Sequence, residues 1–148
     1  MTHYRERLSP SWWITLSVAL LIPATSLIFL PVNLPLGIAV GISLWAGSMA
    51  VLWFSSPTVS VTDSHLSAGS ATIDHKFVSG VEVFRKDEAT MQRGTKLDAR
   101  AWLVIRGWVD PVVKVTLNDP KDPTPYWLVS AREPDKLAAA LAKRTETT

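Results

Sequence analysis

Cysteine is missing from this chain of 148 residues, so neither a disulfide framework nor a thiolate metal site can form. Charge is missing from a long stretch as well. Residues 11 to 62 contain no Asp, Glu, Lys or Arg, although the chain carries 15 basic and 13 acidic side chains in all. Globular chains average about a quarter charged residues, so a gap of this length excludes a fully soluble domain, and its apolar character excludes intrinsic disorder. Catalytic signatures are scarce too. There is no nucleophile elbow, no Ser-x-x-Lys pair and no glycine loop of the kind that cradles phosphate. His3, His65 and His75 lack the three- or four-residue spacing of paired metal ligands. No catalytic residue, metal or cofactor is therefore expected.

What fills the uncharged stretch is enough apolar sequence for two membrane spans, since one helix needs roughly 20 residues to cross a bilayer core. Pro31-Val32-Asn33-Leu34-Pro35 breaks it, because each proline disfavours helical geometry in the residue before it. The spans are expected near residues 12–30 and 36–54, joined by a short uncharged tip as a helical hairpin with both ends on one side. Arg5 and Arg7 precede the first span, and Lys76, Arg85 and Lys86 follow the second. The positive-inside rule then predicts a multi-pass plasma-membrane protein with both termini cytoplasmic. Trp12, Trp13, Trp53 and Phe54 would share that interface. A cleaved signal peptide fits less well, because the apolar run exceeds a signal core of about 7 to 15 residues and continues into a second span.

Pro23 predicts a kink in the first span. Gly37 and Gly41, four apart, mark a face where another helix packs closely, and Ser43 and Gly47 repeat the spacing. The first span of the same hairpin is the expected occupant, with a homo-oligomer through the second span as the alternative. No ionisable residue lies at depth, which argues against a channel or pump.

From residue 57 the pattern changes to short alternating runs. Val59 and Val61, Leu66 and Ala68, Ala71 and Ile73, and Val81 and Val83 read as strands, and strands resume at 101–106, 112–117 and 126–131. Lys86 to Arg93 reads as a short helix closed by Gly94, with Asp87 and Glu88 in its first turn. A last helix starts at Pro134, with Leu137, Ala140 and Leu141 on one apolar face. The fold class is thus α+β: a transmembrane hairpin over 1–56, then a small antiparallel β-domain with a C-terminal helix over 57–148. About seven strands followed by one helix resemble the pleckstrin-homology-like fold, whose members bind lipid headgroups, peptides or proteins.

The segment from Asp119 to Trp127 is the candidate interaction surface. Asp119 and Asp122, interleaved with Pro120 and Pro123, lack the glycine and bidentate Glu of an EF-hand and read as turn residues. They deliver Tyr126 and Trp127 to opposite faces of a strand. Tyr126 is expected to be exposed and to recognise a partner, and Trp127 to pack inward. From Asp63 on there are 13 basic and 12 acidic residues, interspersed, so nucleic acid is not an expected partner.

Tyr4-Arg5-Glu6-Arg7-Leu8 followed by Trp12 and Trp13, together with Asp119-Pro120-Lys121-Asp122-Pro123-Thr124-Pro125-Tyr126-Trp127, resembles the small actinobacterial membrane proteins grouped as domain of unknown function 3093. The resemblance implies a membrane protein without an assigned activity, and it brings no catalytic residues. The expected role is that of a membrane-anchored binding or accessory module, its cytoplasmic domain contacting a protein or lipid. The alternative is a membrane-associated enzyme, or an accessory subunit of a lipid or cell-envelope pathway, with a site formed only in a complex.

Overall fold

Proline decides where the apolar stretch breaks. In the computed structural model, which describes residues 2–145, the first apolar segment is two helices in succession, α1 (Trp12–Ala19) and α2 (Leu21–Phe29). The interruption at Leu20 lies one turn before Pro23, where the Ala19 carbonyl loses its helical donor and meets the pyrrolidine ring. The second segment, α3 (Leu34–Phe54), begins two residues earlier than the sequence suggests. Asn33 caps it by accepting the Leu36 N–H at 3.1 Å, and Pro35 sits in the first turn, where its missing N–H leaves no bond unmade.

Gly37 and Gly41 are the buried residues of α3, and both face α2. A Cβ at Gly41 would stand 2.4 Å from Thr25 Oγ1 and 2.7 Å from the Ile22 Cα, and one at Gly37 would stand 2.8 Å from the Phe29 Cβ. The helices approach closely enough for Thr25 Oγ1 to lie 3.0 Å from the Gly37 carbonyl. Gly47, by contrast, faces open space. Most other side chains of the hairpin are exposed: only 6% of the first apolar window and 11% of the second is buried.

Residues Ser9–Ser56 form one compact unit, and the second is made of the chain up to Leu8 together with everything from Pro57 on. The second unit contains two four-stranded sheets. The first has the order β1 (Thr2–Arg7), β2 (Thr58–Thr62), β3 (His65–Ala68), β4 (Ala71–Asp74), all antiparallel. A 3₁₀ turn over His75–Phe77 leads to the second, made of β5 (Val78–Phe84), β6 (Trp102–Val104), β7 (Val112–Leu117) and β8 (Tyr126–Ser130) in the order β5-β7-β8-β6. Helix α4 (Lys86–Arg93) follows β5, and α5 (Pro134–Thr145) ends the described chain.

Three expectations change. The first eight residues join the β unit instead of leading the hairpin: β1 pairs along β2 from Thr2↔Thr62 to Arg7↔Thr58, and the Leu8 N–H donates to the Pro57 carbonyl at 3.0 Å. Tyr4 and Leu8 are thereby buried in the core, while His3, Arg5 and Arg7 stay at the surface. The strands divide between two sheets instead of forming one. Finally, β6 runs parallel to β8, with Trp102↔Trp127 and Val104↔Val129, so antiparallel pairing has one departure.

The main core lies between the sheets and under α5, with Val59, Val61, Leu66, Val115, Trp127, Leu137 and Leu141 all buried. A smaller cluster of Ala89, Val112, Tyr126 and Leu128 fills the other face of the second sheet, against Phe84, Leu97 and Ile105. Every residue of β8 is therefore buried. The turn between β3 and β4 takes two residues and needs Gly69, whose φ of 65° a residue with a Cβ rarely adopts.

Candidate functional site

Three of the four residues in the proline-rich segment come together. Asp119, Asp122 and Trp127 line a cleft of about 230 Å³, to which β4 adds Thr72 and Asp74 and the 3₁₀ turn after it adds Phe77. The two prolines hold the segment in successive Asx turns: Asp119 Oδ1 accepts the Lys121 N–H, and Asp122 Oδ1 the Thr124 N–H, each at 2.9 Å. Hydrogen bonds from Thr124, side chain first and then backbone, hold the Asp122 carboxyl below the usual carboxylate range. Asp74 lies 3.2 Å from Lys76, whose ammonium also stands 4.8 Å from the centre of the Phe77 ring. The cleft thus has an acidic rim over two aromatic rings, which suits a positively charged segment more than an anion. Asp74 and Phe77 escaped the sequence reading because they come from the end of β4 and the 3₁₀ turn that follows it, far from this segment in the chain. Nothing in their local pattern distinguishes them from ordinary residues at a strand end.

Tyr126 is not in this cleft. It does face away from Trp127, as alternation requires, but it is buried instead of exposed. The expectation assumed that the far face of the sheet meets water, whereas α4 and the segment after it cover that face. The hydroxyl of Tyr126 accepts the Asp98 N–H at 2.7 Å, and the Lys114 ammonium stands 4.4 Å from the ring centre. Asp98 in turn pairs with Arg100 at 2.9 Å, and hydrogen bonds from Arg100 bring its carboxyl down to about 2. Tyr126 therefore ties the loop after α4 to β8, which is structural work.

A second cleft, of about 340 Å³, lies between β1 and α5 and is lined by Tyr4, Ala139, Ala140, His3, Lys136 and Lys143. Tyr4 donates to Glu6, and burial, then the bond to Glu6 and its charge, push the phenol well above its usual range. Glu6 in turn accepts the Arg132 N–H at 3.1 Å with both carboxylate oxygens, which links β1 to the segment between β8 and α5. The opening Tyr4-Arg5-Glu6-Arg7 is thus a strand whose inward residues are Tyr4 and Glu6. Gly37 and Gly41, the helix-packing candidates, lie in the hairpin as described. Among the described residues, no three His, Asp or Glu side chains stand together in a way that could hold a metal ion.

No curated protein and no solved structure matches the chain. A family model does, over residues 3–141, a span that begins in β1 and ends in α5. The chain belongs to the family described as proteins of unknown function, DUF3093.

Proposed function

We propose that the chain is an integral membrane protein in which the helical hairpin holds the β unit at the cytoplasmic face of the plasma membrane as a binding or accessory module. One observation carries this reading: two apolar helical segments of 18 and 21 residues, mostly unburied, interrupt a hydrogen-bonded pair of strands. A core helix of a soluble protein would be covered by its own chain, whereas only 6% and 11% of these windows are. A removable signal sequence would take β1 with it, and with β1 the buried Tyr4 and Leu8. Arg5 and Arg7 ahead of the hairpin favour a cytoplasmic β unit.

Two stacked sheets closed by a C-terminal helix support a pleckstrin-homology-like module, with α5 packed against strands of both sheets. The Asp119–Asp122 cleft is the surface that best suits a basic segment of a protein partner. Because cysteine is absent, topology is directly testable with Val32→Cys at the hairpin tip and Lys121→Cys in the β unit. In intact cells an impermeant thiol reagent should label the first and spare the second until lysis. Labelling of Lys121→Cys before lysis would reverse the orientation, and release of the protein by alkaline carbonate would remove the anchor altogether.

A further inference from the structure

Edge strands that end in water are normally short, charged or covered, because their unpaired backbone groups invite association. β6 is the edge of the second sheet, and the run Ala101-Trp102-Leu103-Val104-Ile105 carries no charge at all. Trp102 and Leu103, on opposite faces of that edge, are 37% and 43% exposed; with Met91 they are the large apolar side chains most open to solvent outside the hairpin among the described residues. An edge that is apolar on both of its faces calls for a medium that accepts apolar and amphipathic side chains. The headgroup region of a bilayer is such a medium.

Chain length says where that edge lies relative to a membrane. Leu8 and Pro57 are hydrogen-bonded to each other, while the apolar helices begin at Trp12 and end at Phe54. Four and three residues reach at most about 14 Å and about 11 Å. If the hairpin spans the bilayer, the Leu8–Pro57 end of the β unit must therefore stand at its surface. β6 lies at that end: the Trp102 indole donates to the Ala68 carbonyl at 3.2 Å, and a Cβ at Gly69 would be 3.6 Å from Val104 and 3.9 Å from Pro57. Arginines lie toward that end too: Arg132 Nη1 donates to the Arg7 carbonyl at 3.2 Å and stands 3.7 Å from Glu6 Oε1, and Arg106, whose backbone N–H donates to Ser130 Oγ, holds its guanidinium 5.9 Å from the centre of the Trp108 ring.

We propose that the β6 edge, through Trp102 and Leu103, and the adjacent arginines Arg7, Arg106 and Arg132 rest on the anionic phospholipid headgroups of the membrane that holds the hairpin. This depends on the anchor reading above and goes beyond it, because the tether brings the Leu8–Pro57 end near the lipid without choosing which side of the domain rests on it.

The test uses the full chain in phosphatidylcholine vesicles with and without 30% phosphatidylglycerol, spin-labelled at Ile42→Cys, Leu103→Cys or Lys121→Cys. The readout is relative accessibility to oxygen and to a soluble nickel complex. With phosphatidylglycerol, the Ile42 and Leu103 labels should favour oxygen and the Lys121 label nickel. Arg106→Gln should weaken the Leu103 signature roughly five-fold in apparent surface partition, the share expected of one arginine at an anionic surface. A Leu103 label as open to nickel as Lys121, with Ile42 still in hydrocarbon, overturns the proposal and spares the anchor. An Ile42 label in water overturns the anchor itself. Protection of Leu103 from both reagents means a protein covers the edge, and an unchanged Leu103 signal without phosphatidylglycerol removes the charged-headgroup assignment; either result overturns the proposal as stated.

Discussion

Tyr126 shows how one residue can be placed on the correct side of a strand and still be given the wrong role. Alternation separates it from Trp127, but the medium on its side is protein, and its hydroxyl is bound to the Asp98 N–H. Tyr126→Phe should cost about 1 to 2 kcal/mol in chemical denaturation of the full chain in detergent, since a partly buried donor loses its acceptor while the ring keeps its packing. Tyr126→Ala should cost about 3 to 5 kcal/mol through the cavity it leaves. A denaturation midpoint unchanged in Tyr126→Phe would show that the hydroxyl contributes nothing. Asp119 and Asp122 behave as their proline neighbours lead one to expect, because an Asx turn is settled within three residues. Local chemistry of that kind is legible in a sequence; what covers the far face of a sheet is not.

Among the elements, the two apolar segments are legible because their signal is long and uncharged, and the breaks at Leu20 and before Leu34 follow from Pro23, Asn33 and Pro35. The helix over Lys86–Arg93 and the start of the last helix at Pro134 were readable from their termini for the same reason. β1 was not, because Thr2-His3-Tyr4-Arg5-Glu6-Arg7 offers a single large apolar residue at an inward position and its partner strand lies beyond the hairpin. Nor was the parallel pairing of β6, since a three-residue strand carries no mark of its direction. The small residues of α3 divide into two kinds that look alike in sequence. At Gly41 a methyl group would meet the Ile22 backbone at 2.7 Å, and at Gly47 it would meet nothing. Gly41→Ala should therefore destabilise the hairpin by about 1 to 3 kcal/mol in a denaturing-detergent titration, and Gly47→Ala should stay within about 0.5 kcal/mol. Equal effects at the two positions would mean that α2 does not pack against Gly41.

At the scale of the whole molecule, the hairpin is an insertion between two paired strands, and Leu8 and Pro57 are close enough to be joined directly. Replacing Ser9–Ser56 with a two-residue Asn-Gly turn should give a soluble β domain that melts cooperatively, because such a turn suits adjacent antiparallel strands. A fragment starting at Pro57 should fare worse. It loses the buried Tyr4 and Leu8, worth roughly 3 to 6 kcal/mol of apolar burial, out of a total stability of about 5 to 15 kcal/mol for a typical domain. It also bares the edge of β2. Circular dichroism and sedimentation of the two proteins decide the matter, and a Pro57 fragment as stable and monodisperse as the turn variant would show β1 to be dispensable.

The strand that opens the chain has a consequence for how the protein is made. β1 leaves the ribosome about fifty residues before β2, a delay of about 3 to 10 s at ordinary rates of synthesis, and it has no partner strand in that time. With the hairpin as a membrane anchor, closing the sheet requires that both helices have crossed. A nascent chain that inserts only one of them strands β1 and β2 on opposite sides of the lipid, leaving Tyr4 and Leu8 out of the core. Folding of the β unit then acts as a proofreading step on insertion: a mis-threaded copy cannot complete its domain and presents quality-control proteases with an open one.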